Sequence, residues 1–179
     1  MERRQVLKAS GIAATAGLTA LAGCSSSNDD PSGETDTPSN GGSNTVLMVT
    51  KGSDYYFEPI GLFVEAGETV TFENDSGNHS ATAYKQGNGQ ASVTRVPDGA
   101  GAFDSGILSE QGVTFEHTFE TTGTYDYFCT PHKSLGMVGR IVVGEPGGSA
   151  EGSMPPDGDV PESQTIVDQG AVSYNDFSG

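Results

Sequence analysis

Residues 129–137 read Cys-Thr-Pro-His-Lys-Ser-Leu-Gly-Met, which places Cys129, His132 and Met137 in one short loop at the spacing Cys-x2-His-x4-Met. A thiol, an imidazole and a thioether so close together are soft metal donors. A further imidazole, His79, lies fifty residues upstream, just past the segment Val70-Thr71-Phe72-Glu73. It can join the other three only if the fold brings two loops to one end of the molecule. Two imidazoles and a thiolate in a plane with a weak axial thioether form the donor set of a single type 1 (blue) copper ion. Thiolate and thioether suit Cu(I), and imidazole serves both Cu(I) and Cu(II). The chemistry expected is reversible one-electron transfer, with no substrate bound, no bond broken and hence no enzymatic turnover.

Competing chemistries fit these residues less well. A Cys129/His132 hydrolase needs an orienting group and an oxyanion hole, and three residues of separation in a proline-containing loop give poor attack geometry. An oxidase with several copper ions needs more than the three histidines present. Met137 is a poor zinc ligand. His117 sits among alternating neighbours with no partner histidine and reads as structural. A copper-delivery protein that never cycles its redox state uses the same donors, but delivery favours an open, exchangeable site rather than one assembled from distant loops. Within the loop, His132 is expected to present its ring edge as the electron port, rimmed by Pro131, Leu135, Gly136 and Met137.

The elements that must position these groups are short strands. Residues 46–49, 56–59 and 62–65 are apolar runs closed by turn residues. Residues 70–73, 113–119 and 125–127 alternate apolar and polar side chains, and residues 141–143 supply a last strand. Repeated period two with no sustained helical period predicts an all-β, two-sheet Greek-key sandwich of antiparallel strands. The Gly-rich stretch 86–102 is expected to cover one flank.

Phe57-x-Pro59, Leu62-x-Val64-x2-Gly67-x-Thr69-Val70-x-Phe72-x-Asn74, His79, Gly123-x-Tyr125, the 129–137 loop and Gly139 stand here in a specific order and spacing. Over residues 45–144 the chain resembles the halocyanins, the plastocyanin-like cupredoxins of halophilic archaea. That resemblance implies a sandwich of about eight strands and a mobile carrier in a membrane-associated electron-transport chain. A quinol-oxidising complex and a terminal oxidase fit as donor and acceptor. One departure stands out: plastocyanin-like proteins often carry Asn directly after the upstream ligand, where this chain has Ser80. The Ser80 hydroxyl is expected to replace that link by bonding near Thr130, so that Ser80, Thr130 and Pro131 surround the ligands.

The flanks read as address and tether. Arg3 and Arg4 precede a small-residue apolar run at 9–22, a twin-arginine export signal too short for a bilayer span. Leu21-Ala22-Gly23-Cys24 resembles a lipobox, making residues 1–23 a signal peptide and Cys24 the lipidated first residue. Residues 24–44 form a flexible tether reaching at most about 70 Å. Residues 145–179 are expected to be a disordered acidic tail, in which apolar clusters at 165–167 and 171–174 could dock on a partner or add a strand.

Twenty-four acidic against eight basic residues give a net charge of −16, which excludes a nucleic-acid partner. The acidity is spread along the chain and points to a halophilic source rather than to one docking patch. Cys24 and Cys129 each have a separate role, so no disulfide is expected. The whole reading is of a monomer anchored to the outer face of the cell membrane.

Overall fold

The computed structural model describes residues 43–178; the twin-arginine segment, Cys24 and most of the tether lie outside them. The described residues contain nine strands: β1 (Thr45–Lys51), β2 (Asp54–Glu58), β3 (Gly61–Val64), β4 (Thr69–Asn74), β5 (Thr82–Ala83), β6 (Thr114–Thr118), β7 (Gly123–Phe128), β8 (Val138–Val143) and β9 (Ala171–Val172). A 3-10 helix spans Thr130–Leu135, and two short helices follow, α1 (Ser163–Gln169) and α2 (Tyr174–Ser178). One sheet has the order β2-β1-β4-β6, the other β5-β7-β8-β3-β9.

Alternation in the sequence becomes alternation in burial. Val46 and Met48 of β1 and Val70 and Phe72 of β4 are fully buried between the sheets. Phe72 packs against Phe103 and Tyr127 at centroid separations of 5.7 and 5.4 Å, and Phe57 lies 4.6 Å from Tyr127. Aromatic burial of this kind supplies much of the drive for closing the sandwich.

Two expectations are corrected. The sheets are mixed rather than antiparallel, because β1 pairs parallel with β4 and β3 parallel with β8. Strands that run side by side in the same direction need a long crossover, and the sequence between them gives no sign of it. Residues 45–144 carry the eight strands expected of them, β1 to β8, and a ninth, β9, comes from beyond residue 144.

Second, residues 145–178 are not a disordered tail. They fold back over the outer face of the five-stranded sheet, where Ile166 and Val172 bury themselves with Ile60 and Val142. The strand suggested by residues 171–174 forms on this chain's own β3, with Leu62 opposite Ala171. What holds the segment is a buried ionic cluster. Asp126 of β7, wholly buried, accepts from Arg95 Nε at 2.7 Å and Arg140 Nε at 2.8 Å. Arg95 and Arg140 both donate to the Ala150 carbonyl, and Arg140 also donates to Pro161 O and Ser163 Oγ. Asp126 alternates with tyrosines as a solvent-facing residue should, but its face of the sheet is roofed. Every position of β7 and β8 is consequently buried.

The 84–113 connection carries no strand. Asn88 Nδ2 donates to the carbonyls of Ala83 and Phe103, and Ala83 N donates to Phe103 O, so the connection closes the β5 edge of its sheet.

Candidate metal centre

Pro131 at the start of the 3-10 turn pre-sets its backbone angle for the turn. The turn then folds His132 back so that its N–H donates to Cys129 O at 3.2 Å. Gly136, at φ +85°, ends the turn in the left-handed region that a side chain disfavours. That reversal returns the chain to Cys129, whose N–H donates to Met137 O at 3.0 Å, while Met137 N–H donates to His132 O at 3.3 Å. The loop is thus a closed stem with Phe128 opposite Val138 as its first sheet pair. His79 is held from elsewhere, by reciprocal backbone bonds to Leu108 of 3.0 and 2.7 Å.

The two loops converge. Cys129 Sγ lies 3.5 Å from His79 Nδ1 and 3.4 Å from His132 Nδ1, and one donor atom from each of the three residues falls within 4.8 Å of the others. Those separations suit one first-row ion bonded to each at roughly 2.0–2.3 Å. Met137 is fully buried in the same core cluster as Cys129. It therefore lies beneath the surface and is not part of the apolar rim, which Pro131, Leu135 and Gly136 form on the exposed side. Leu135 is 62% exposed. His79 is wholly buried and His132 half-buried, so His132 is the candidate ligand nearer solvent.

Ser80 ties the loops together. Its Oγ accepts from Thr130 N–H at 2.8 Å, and its own N–H points at Cys129 Sγ at 3.4 Å. The Ser80 hydroxyl also meets Thr82 Oγ1 at 3.0 Å, and Thr82 in turn donates to Asp104 at 3.1 Å. The link between the two loops is thus made here by the Ser80 hydroxyl. Four residues near the site carried no sequence signal. Tyr55 stacks on the His132 ring at 3.9 Å and 15°, Thr50 Oγ1 meets His79 Nε2 at 2.9 Å, and Ser105 Oγ accepts from Ala81 N–H. Thr82 sits in the two-residue strand β5, too short to show a period.

Burial dominates the electrostatics. It pushes the His79 imidazole down to about 4, with His132 beside it adding to the effect, and it lowers His132 as well. The Cys129 thiol is pushed up to about 11 by burial, against the opposing pull of the Ser80 amide. With no ion, the pocket at neutral pH holds neutral imidazoles and a protonated thiol. An entering cation has two free lone pairs and displaces one proton. The tautomer that turns the His79 Nδ1 lone pair inward places its proton on Nε2, where Thr50 Oγ1 accepts it. His117 lies away from this cluster, against Phe103 and Phe119 at 4.7 and 4.8 Å.

A two-sheet sandwich carrying Cys, two His and a buried Met at one end is the architecture of a copper-binding cupredoxin. The family model described as copper binding proteins, plastocyanin/azurin family, matches residues 44–144, and the chain belongs to that family. It is similar to the halocyanin of Natronomonas pharaonis, 34% identical over 106 residues that make up 57% of this chain and 58% of that protein. It is also similar to the plastocyanin of Scenedesmus fuscus, 34% identical over 102 residues, 55% of this chain and 97% of that one. The chain thus spans a little over half the length of the halocyanin it matches. Among solved structures, a pseudoazurin from Sinorhizobium meliltoi aligns with a TM-score of 0.48 at 27% identity, over 70% of this chain and 91% of that one.

Proposed function

We propose that the protein is a type 1 copper electron carrier that holds one ion through His79, Cys129, His132 and Met137 and passes single electrons between membrane-associated redox complexes. The observation that carries this reading is the convergence of the Cys129 thiol and two imidazole nitrogens within 4.8 Å, in a buried pocket closed by two separate loops. When bound, the ion supplies a Cu(II)/Cu(I) couple. The chain's own residues do the rest. Core packing and the Ser80 link fix the donors so that they need little rearrangement when the charge changes, and the half-buried His132 edge with its Pro131 and Leu135 rim offers a small apolar contact for brief docking. No substrate is bound and no bond is broken.

The setting proposed is the extracytoplasmic face of the cell membrane, with lipid on Cys24 and the 24–44 tether letting a monomer swing between a quinol-oxidising complex and a terminal oxidase. The test is a visible and EPR spectrum of the full chain loaded with Cu(II), before and after ascorbate, beside Cys129→Ser. The expected result is an intense blue thiolate-to-copper band with narrow copper hyperfine splitting, reversibly bleached and absent in the variant. A pale tetragonal spectrum indifferent to Cys129→Ser would point instead to copper binding or delivery without redox cycling.

A further inference from the structure

The segment beyond residue 144 does more than roof the sheet, for part of it reaches the loop that carries His132 and Met137. Val160 is fully buried with Tyr84, Ala91, Phe128 and Val138, which fixes the segment's position. Just before it, Asp157 Oδ2 accepts from Tyr84 OH at 2.6 Å and lies 3.5 Å from Lys133 Nζ. Lys133 belongs to the 3-10 turn itself. Its ammonium also donates to Gln90 O at 2.7 Å and sits 5.0 Å from the centre of the Phe128 ring. A surface ion pair alone would hold little. Here the carboxylate is already anchored by a charge-assisted bond from a buried tyrosine, so the turn is tied to a fixed point.

The next residue makes the contact closer still. A methyl group at Gly158 would stand 2.9 Å from Gly136 O and from Val138 Cγ2, and 3.2 Å from Gly136 Cα. Gly136 O belongs to the one peptide between the turn and Met137. Only a glycine lets the segment lie this close against that peptide.

We propose that Asp157 and Gly158 are positioning residues for the metal loop: together they clamp it from behind and so fix where Met137 is held. This deepens the copper reading and rests on it.

Three variants of the full chain test it: Gly158→Ala, Asp157→Asn, which keeps an acceptor for Tyr84 while removing the charge, and Val172→Ala, which weakens the same segment far from the loop. Two readouts apply: the absorption and EPR spectra with Cu(II), and amide exchange at Gly136 and Met137 in the metal-free chain. Gly158→Ala is expected to change the relative intensity of the thiolate-to-copper bands and to speed exchange at Met137 roughly tenfold. Asp157→Asn should shift both in the same direction by less, and it serves where Gly158→Ala does not fold. Val172→Ala should lower the melting temperature and leave both unchanged. Wild-type spectra and exchange in Gly158→Ala and Asp157→Asn would overturn the clamp, as would equal spectral change in Val172→Ala. A wild-type chain without the intense band would overturn the copper reading instead, and the exchange rates of the metal-free chain would still decide the clamp.

Discussion

Each donor is governed by its immediate neighbours. Ser80 is 1% exposed and satisfies the amide of half-buried Thr130, so its removal leaves that donor without a partner. Ser80→Ala is expected to cost about 1–3 kcal/mol of stability, read as a lower urea midpoint, and to loosen the join between the two ligand loops. His79 gives the metal-free chain a pH dependence whose sign follows from burial. Its folded value of about 4 lies below the ordinary 6.5, so the unfolded chain takes up a proton that the folded chain refuses. The stability that depends on neutral His79 is complete above about pH 6.5 and is lost as the pH falls toward 4. Urea midpoints measured from pH 7 to 4.5 should therefore fall, and should fall less in His79→Asn.

Among the elements, β7 shows how a strand can mislead. Tyr125-Asp126-Tyr127 alternates as a half-buried strand would, and the tyrosines do face the core. Asp126 faces a second buried layer made by the returning segment, where Arg95 and Arg140 enclose it. Removing one partner of such a cluster leaves uncompensated buried charge. Asp126→Asn is expected to destabilise the chain by roughly 3–5 kcal/mol, measured by chemical denaturation. The returning segment itself, rich in Gly, Pro and Ser, shows no long apolar period. It orders by docking its few apolar side chains, Val160, Ile166 and Val172, and through carbonyls that accept hydrogen bonds from the two guanidiniums. A composition rule for disorder counts only what a segment can bury against itself.

Across the whole chain the net charge is −16, and most of it falls on the residues of this small fold. Self-repulsion at that density opposes compactness, and salt screens it. Raising NaCl from 0.1 to 1 M shortens the screening length from about 10 to about 3 Å, so the melting temperature should rise. A melting temperature indifferent to salt would show that paired charges, such as those around Asp126, offset the repulsion.

The candidate donors Cys129, His132 and Met137 stand out in the sequence because they share one loop, where spacing along the chain is spacing in space. The strands were legible because period two is imposed locally by the pleat, residue by residue. By itself the sequence determined the donor chemistry, the all-β class and the acidic surface. The tertiary structure decided what depends on contacts between distant segments: parallel pairing of β1 with β4 and β3 with β8, Tyr55 over His132, and the burial of Met137 and Asp126. It also decided the ordering of residues 145–178. Those outcomes follow from which surfaces meet once the chain has folded back, and no local period encodes them.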